Sequence, residues 1–171
     1  MYTLYSIESS FILYAIILQL LFALITFSVS LVSYKVYRIT QNTNTKSMVM
    51  AFLFVCGSYG IQAIFNFLIL LRVRHSDFVM FGIHPLSVLN EQGLYLHVVF
   101  MAVGLSILMY NAFKTKTRSL LWYLILSSLM ILFVSRNILT GFFMLTSLYL
   151  GFLACHYYVN FQDKSTKGAF L

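Results

Sequence analysis

The stretch FILYAIILQLLFALITFSVSLVSY, residues 11–34, runs for 24 residues without a charge. Wound as a helix at 1.5 Å per residue it is about 36 Å long, and a bilayer hydrocarbon core is about 30 Å thick. A helix apolar on every side needs lipid or a large protein core around it. Four more uncharged stretches follow, at 47–71, 92–113, 119–135 and 137–162. Three of these exceed the roughly 20 residues that a crossing requires, while 119–135, with 17, is marginal. The pattern predicts an all-α fold: a polytopic transmembrane helical bundle with five membrane-spanning helices. They are expected over about 11–34, 47–71, 88–113, 119–135 and 137–160, in a single domain ending near residue 162, with 163–171 as a short cytoplasmic tail.

Composition agrees. The 171 residues are 61% hydrophobic and 9% charged, against about 25% charged in an ordinary soluble domain. Charge is also placed rather than scattered. Lys35, Arg38 and Lys46 separate the first two stretches, Lys114, Lys116 and Arg118 separate the third and fourth, and Lys164 and Lys167 follow the fifth. The remaining connections hold Arg72, Arg74 and Arg136. Cytoplasmic loops are enriched in Lys and Arg, so the N-terminus is expected outside and the C-terminus inside. The expected setting is the plasma membrane of a prokaryote. A net charge of +7 does not point to nucleic acid, because the cations form short juxtamembrane turns and not a recognition surface. Anionic lipid headgroups are the expected partners of Lys35, Arg38, Lys46, Lys114, Lys116 and Arg118. Cys56 and Cys155 lie inside spans without a redox spacing and read as packing residues. No cleavable signal peptide is read at the N-terminus, whose apolar run is too long and lacks a basic lead.

The connection from His75 to Asn90 is the longest. Its Phe78–Leu86 part is largely apolar and holds the single proline, Pro85. Too short to span, it reads as an interfacial segment, with a lid over the bundle as the alternative.

Polar residues inside a membrane are costly and therefore informative. Asn90, His97, Gly104 and Asn111 recur every seven residues, two helical turns, and share one face. Ser58, Gln62 and Asn66 step by four along the second helix. Counted from the outer ends, Gln19, Gln62 and His97 fall about 12–13 Å deep, with Asn66, Asn90 and Glu91 nearer the outer surface. Two readings stay open. Such groups bond across membrane helices and fix register, or else Gln19, Gln62, Asn66, Asn90, Glu91 and His97 line an outward-facing polar pocket for a small ligand.

The chemistry-bearing signals are sparse. His75, Asp77, His84 and Glu91 have the right donor types for zinc but no motif spacing. His97 and His156 lie at opposite depths, unsuited to a bis-histidine haem, and no cofactor is predicted. Gly57-Ser58-Tyr59-Gly60 has glycines where close helix approach would want them, and its order does not match that of an intramembrane serine protease. No span holds a lysine for a retinal Schiff base or a mid-span carboxylate for a proton relay, and no phosphate-binding glycine loop occurs.

Tyr37-Arg38-Ile39-Thr40, Gly57-Ser58-Tyr59-Gly60-Ile61-Gln62, Tyr95-Leu96-His97 and Gly104 together resemble a group of uncharacterised small archaeal multi-pass proteins. These have the general layout of seven-helix membrane sensor modules. The resemblance covers most of the chain. It implies a bundle with an outward N-terminus and two further helices after the lysine-bearing tail, and it supplies no catalytic residue. Lys164–Leu171, which turns apolar at its last residues, reads as the entry to a sixth helix. The expected function is a non-enzymatic sensory or accessory membrane module acting with a protein partner or as a homo-oligomer. The alternatives are a structural subunit of a larger membrane complex and a small oligomeric transporter or channel.

Overall fold

A computed structural model describes residues 9–75, 84–113, 117–135 and 137–168. Among them are five helices and no strands: α1 (Ser9–Thr40), α2 (Thr43–His75), α3 (His84–Ala112), α4 (Arg118–Val134) and α5 (Ile138–Gly168). Four of the five are long and apolar enough to cross a membrane; α4, with 17 residues, is shorter. Residues 76–83, which carry most of the apolar stretch between the second and third helices and Asp77, lie outside the described residues, as do Lys114, Lys116 and Arg136.

The helices outrun the apolar stretches that announce them. α1 continues past Tyr34 to Thr40, α2 begins at Thr43 and not near Ser47, α3 begins at His84 and not Val88, and α5 runs to Gly168 through the expected tail. Apolarity marks the part of a helix that lipid can solvate. The backbone ladder is satisfied internally in lipid and water alike, so it continues into polar sequence until a residue stops it. Pro85 sits in the first turn of α3, where its missing N–H costs nothing.

The turn between α1 and α2 shows how such a stop is made. Gln41 adopts φ 51°, the left-handed conformation, and its N–H bonds Tyr37 O at 2.8 Å. Asn42 then caps α2, its Oδ1 accepting the Asn44 N–H at 3.0 Å. Two residues thus close a helical hairpin by helix-ending and helix-starting chemistry used back to back. Asn137 caps α5 in the same way, accepting the Leu139 N–H at 3.0 Å.

Packing follows heptads. On α1 the buried and half-buried positions step by four and three, through Ile12, Ile16, Gln19, Ala23, Thr26 and Ser30, and this row faces α2. α2 has two such rows. Val49, Tyr59 and Asn66 meet α1; Ala51, Val55, Ser58 and Phe65 meet α3. The rows are one residue out of phase, which rotates them about 100° around the axis and sets α1 and α3 on different sides of α2. A seven-residue repeat is the spacing of left-handed helix packing.

α3 is the centre. Half of its most apolar window is buried, against 11% for α1. One side of α3 packs on α2, and the other meets α4 and α5 through Val98, Ala102, Leu132, Phe142 and Leu145, with a second cluster of Met109, Ala112 and Leu153. Val98 level with Phe142 and Met109 level with Leu153 make α5 parallel to α3. α1, by contrast, touches only α2 among the described helices.

Outward surfaces are apolar. Phe11, Leu18, Leu24, Met130, Phe133 and Leu148 are all more than half exposed. Water does not tolerate an apolar surface of that extent. Outward-facing hydroxyls are satisfied within their own helices: Ser28 donates to Leu24 O at 2.8 Å and Ser127 to Leu124 O at 3.1 Å, as a medium without water demands.

Candidate functional site

His97 of α3 is buried among several helices, 7% exposed. Gly93 and Gly104 flank it on the same row of α3, and they let α2 come close. A Cβ on Gly104 would sit 2.8 Å from Val55 Cγ2 and 3.0 Å from Ala51 O; one on Gly93 would sit 2.8 Å from Phe65 Cβ. With the backbones that near, the short Ser58 side chain reaches across. Ser58 Oγ lies 2.7 Å from His97 Nδ1 and donates to His97 O at 3.0 Å. Nδ1 also lies 3.2 Å from Ser58 O. The tautomer with its proton on Nδ1 satisfies all three contacts: the ring donates to Ser58, and the Ser58 hydroxyl donates back to the His97 carbonyl.

Aromatic rings bracket this pair. Tyr59 of α2 is 5.5 Å from the imidazole and Phe142 of α5 is 5.7 Å from it, edge-on. Phe22 of α1 stacks on Tyr59 at 5.4 Å. A ladder of rings therefore crosses α1, α2, α3 and α5 at one level, each spacing within the range where ring pairs attract.

The other polar residues singled out in the sequence divide among different seams. Asn66 Nδ2 donates to Gln19 Oε1 at 3.0 Å, joining α2 to α1. Ser58 and Asn66, eight residues apart, are rotated about 80° from one another, which is why one faces α3 and the other α1. Gln62 lies between them, half-buried, and makes no hydrogen bond to a described residue. Asn90 and Glu91 are exposed. Asn111, at the far end of the seven-residue series, donates to Asn44 O at 2.9 Å, while its Oδ1 is buried without a partner among the described residues. Lys35, Arg38 and Lys46 are exposed. Of the residues weighed for zinc, Asp77 lies outside the described residues and Glu91 is exposed. Among the described residues no three His, Cys, Asp or Glu side chains stand close enough to hold a metal.

One cluster escaped the sequence reading. Ser106 of α3, Ser128 of α4 and Tyr149 of α5 form a chain of hydroxyls, with Ser106 Oγ to Ser128 Oγ at 3.0 Å and Ser128 Oγ to Tyr149 Oη at 2.7 Å. Ser106 also donates to Ala102 O at 2.8 Å, and both serines are fully buried. Serine and tyrosine are common in membrane helices, and these three lack the regular spacing that betrayed the His97 row.

Chemically, a serine hydroxyl 2.7 Å from an imidazole is the contact used to activate a nucleophile. Here the rest of the arrangement works against it. Ser58 is fully buried, its proton is committed to the His97 carbonyl, and a proton on Nδ1 leaves that nitrogen no lone pair with which to act as base. The pair is built as a clasp between helices. Comparison of the chain with protein-family models, with curated proteins and with solved structures found no match.

Proposed function

We propose that this chain is an integral membrane protein whose five helices all cross the bilayer, N-terminus outside and C-terminus in the cytoplasm of a prokaryote. In this reading it serves as a non-enzymatic accessory subunit that works through a protein partner or another copy of itself. One observation carries the reading: the buried side chains with chemistry to offer are spent on neighbouring helices. His97 is held by Ser58, Gln19 by Asn66, and Ser128 by Ser106 and Tyr149. Interhelical bonds of this kind are modest, about 0.6 kcal/mol each on average, but they fix register where apolar packing alone is permissive.

The 17 residues of α4 are about 25 Å long. Local bilayer thinning or a near-upright setting lets such a helix cross, and the hydroxyl chain that ties it to α3 and α5 supports its burial among spanning neighbours. The orientation rests on the excess of Lys and Arg at one end.

A ligand-sensing pocket is the second reading, favoured by Gln62. It lies half-buried beside the His97 level without a described partner, and Asn90 and Glu91 lie towards the outer end of the same helix as His97. The resemblance to seven-helix sensor modules is in keeping with that role.

Two experiments test the accessory, non-enzymatic reading. Extracted from its own membranes in mild detergent, the chain is expected to travel in an assembly larger than its 19.7 kDa; a lone monomer with no retained protein contradicts the accessory role. A fluorophosphonate probe applied to membranes is expected to leave Ser58 unlabelled, and labelling lost in Ser58→Ala would make the chain a hydrolase instead.

A further inference from the structure

The α1–α2 hairpin carries three cations at its turn and no acid anywhere along its length. Lys35 and Arg38 are three residues apart on the last turns of α1, Lys46 lies in the first turn of α2, and all three are exposed. α1, α2 and α4 contain no Asp or Glu. On α3, Glu91 lies 20 residues before Asn111, about 30 Å away along the helix. On α5, Asp163 is followed by Lys164 and Lys167. No ion pair to a described residue neutralises the three hairpin cations. The Gln41–Asn42 turn holds the two helix ends together through Gln41 N–H to Tyr37 O and Asn42 Oδ1 to the Asn44 N–H. Asn111 of α3 is pinned to the same end by its bond to Asn44 O. The amino end of α2 adds the positive pole of its helix dipole.

Exposed apolar residues interleave with these cations: Tyr34 is 48%, Val36 43% and Ile39 84% exposed. A nucleic acid or an acidic soluble protein would meet the charges and leave Ile39 in water. A bilayer interface accepts both, with Ile39, Val36 and the lysine stems among acyl chains and the charged heads among phosphates. We infer that this hairpin end is a docking surface for anionic phospholipid, with Lys35, Arg38 and Lys46 gathering the phosphodiester of a phosphatidylglycerol-type headgroup.

The inference rests on membrane insertion, and the two fail separately. A chain released from membranes by alkaline carbonate would refute insertion, whereas an inserted chain indifferent to lipid charge would refute the docking surface alone. The test is native mass spectrometry of the full chain in detergent, offered equal phosphatidylglycerol and phosphatidylcholine. Each cation near an anionic surface strengthens attraction about fivefold. The wild type is therefore expected to retain phosphatidylglycerol in clear excess, and the excess should collapse when ionic strength is raised tenfold. Lys35→Gln, Arg38→Gln and Lys46→Gln combined should abolish the preference, and Arg72→Gln, at the opposite end of α2, should keep it. Inorganic phosphate should not displace the bound lipid. Equal retention of the two lipids, a preference that survives the salt, or loss of preference in Arg72→Gln would each overturn the inference. Full displacement by inorganic phosphate would make the surface a site for free anions.

Discussion

Gln41 is an L-residue held at φ 51° in a turn that would suit glycine. The left-handed conformation costs a side-chain-bearing residue about 1–2 kcal/mol, and the position just past a helix end is where glycine usually removes that cost. Gln41→Gly is expected to raise stability by about 1 kcal/mol. Asn42→Ala, which removes the cap on α2, should lower it by about 1 kcal/mol. Both are read from thermal or denaturant unfolding in detergent; a destabilised Gln41→Gly would mean that the Gln41 side-chain bond to Arg38 O at 3.2 Å outweighs the backbone strain. At His97 the expected quantity is a coupling. Ser58→Ala, His97→Leu and the double variant should yield an interaction of about 0.6–1.7 kcal/mol, the range for hydrogen bonds between membrane helices. A coupling of zero would deny that the pair is a clasp. These residue-scale features were unequally legible in the sequence. The seven-residue spacing of His97 placed it on a shared face of its helix, with a bond to a neighbouring helix and a polar pocket as the two readings. Its partner was not marked, since Ser58 and Gln62 lie one turn apart on the same helix and periodicity does not choose between them.

Among the helices, the seven-residue series Asn90, His97, Gly104 and Asn111 was the clearest signal, because a shared face follows from helical geometry alone. The last three of its members lie along α2, opposite Ser58, Ala51 and Asn44. Asn90, near the amino end of α3, is exposed. The seam depends on close approach, and two glycines separate that effect from mere helix propensity. Gly104→Ala brings a methyl against a backbone oxygen, 3.0 Å from Ala51 O, and should destabilise by about 1–3 kcal/mol. Gly60→Ala meets nothing within 4 Å and should be neutral or stabilising by up to about 1 kcal/mol. If the two substitutions behave alike, the α2–α3 spacing described above is wrong. Helix ends were the least legible feature. Thr43-Asn44-Thr45 reads as a polar loop, yet it is the first turn of α2, because a cap at Asn42 and a lipid boundary some residues later are independent events. The Ser106–Ser128–Tyr149 chain was equally hidden, since its members come from three helices and no sequence spacing links them.

For the whole molecule, the row of α1, α2 and α3 with α4 and α5 gathered on the far side of α3 leaves α1 supported from one side only. Its outer face is Phe, Leu, Ile and Val, large side chains that suit lipid better than a second tightly packed helix. Four long helices and one of 17 residues make the number of crossings the deciding fact, because parity fixes where the ends lie. Five crossings put the termini on opposite faces of the membrane. If α4 fails to cross, the termini share a face and the basic turns no longer lie together on the cytoplasmic side. The most direct measurement is therefore impermeant labelling of single cysteines placed at each terminus, in a background lacking Cys56 and Cys155, in intact cells and again after permeabilisation. The N-terminal cysteine should react in intact cells and the C-terminal one only after the membrane is opened; reaction of both, or of neither, in intact cells would contradict the five-span, N-outside topology on which the proposed role depends.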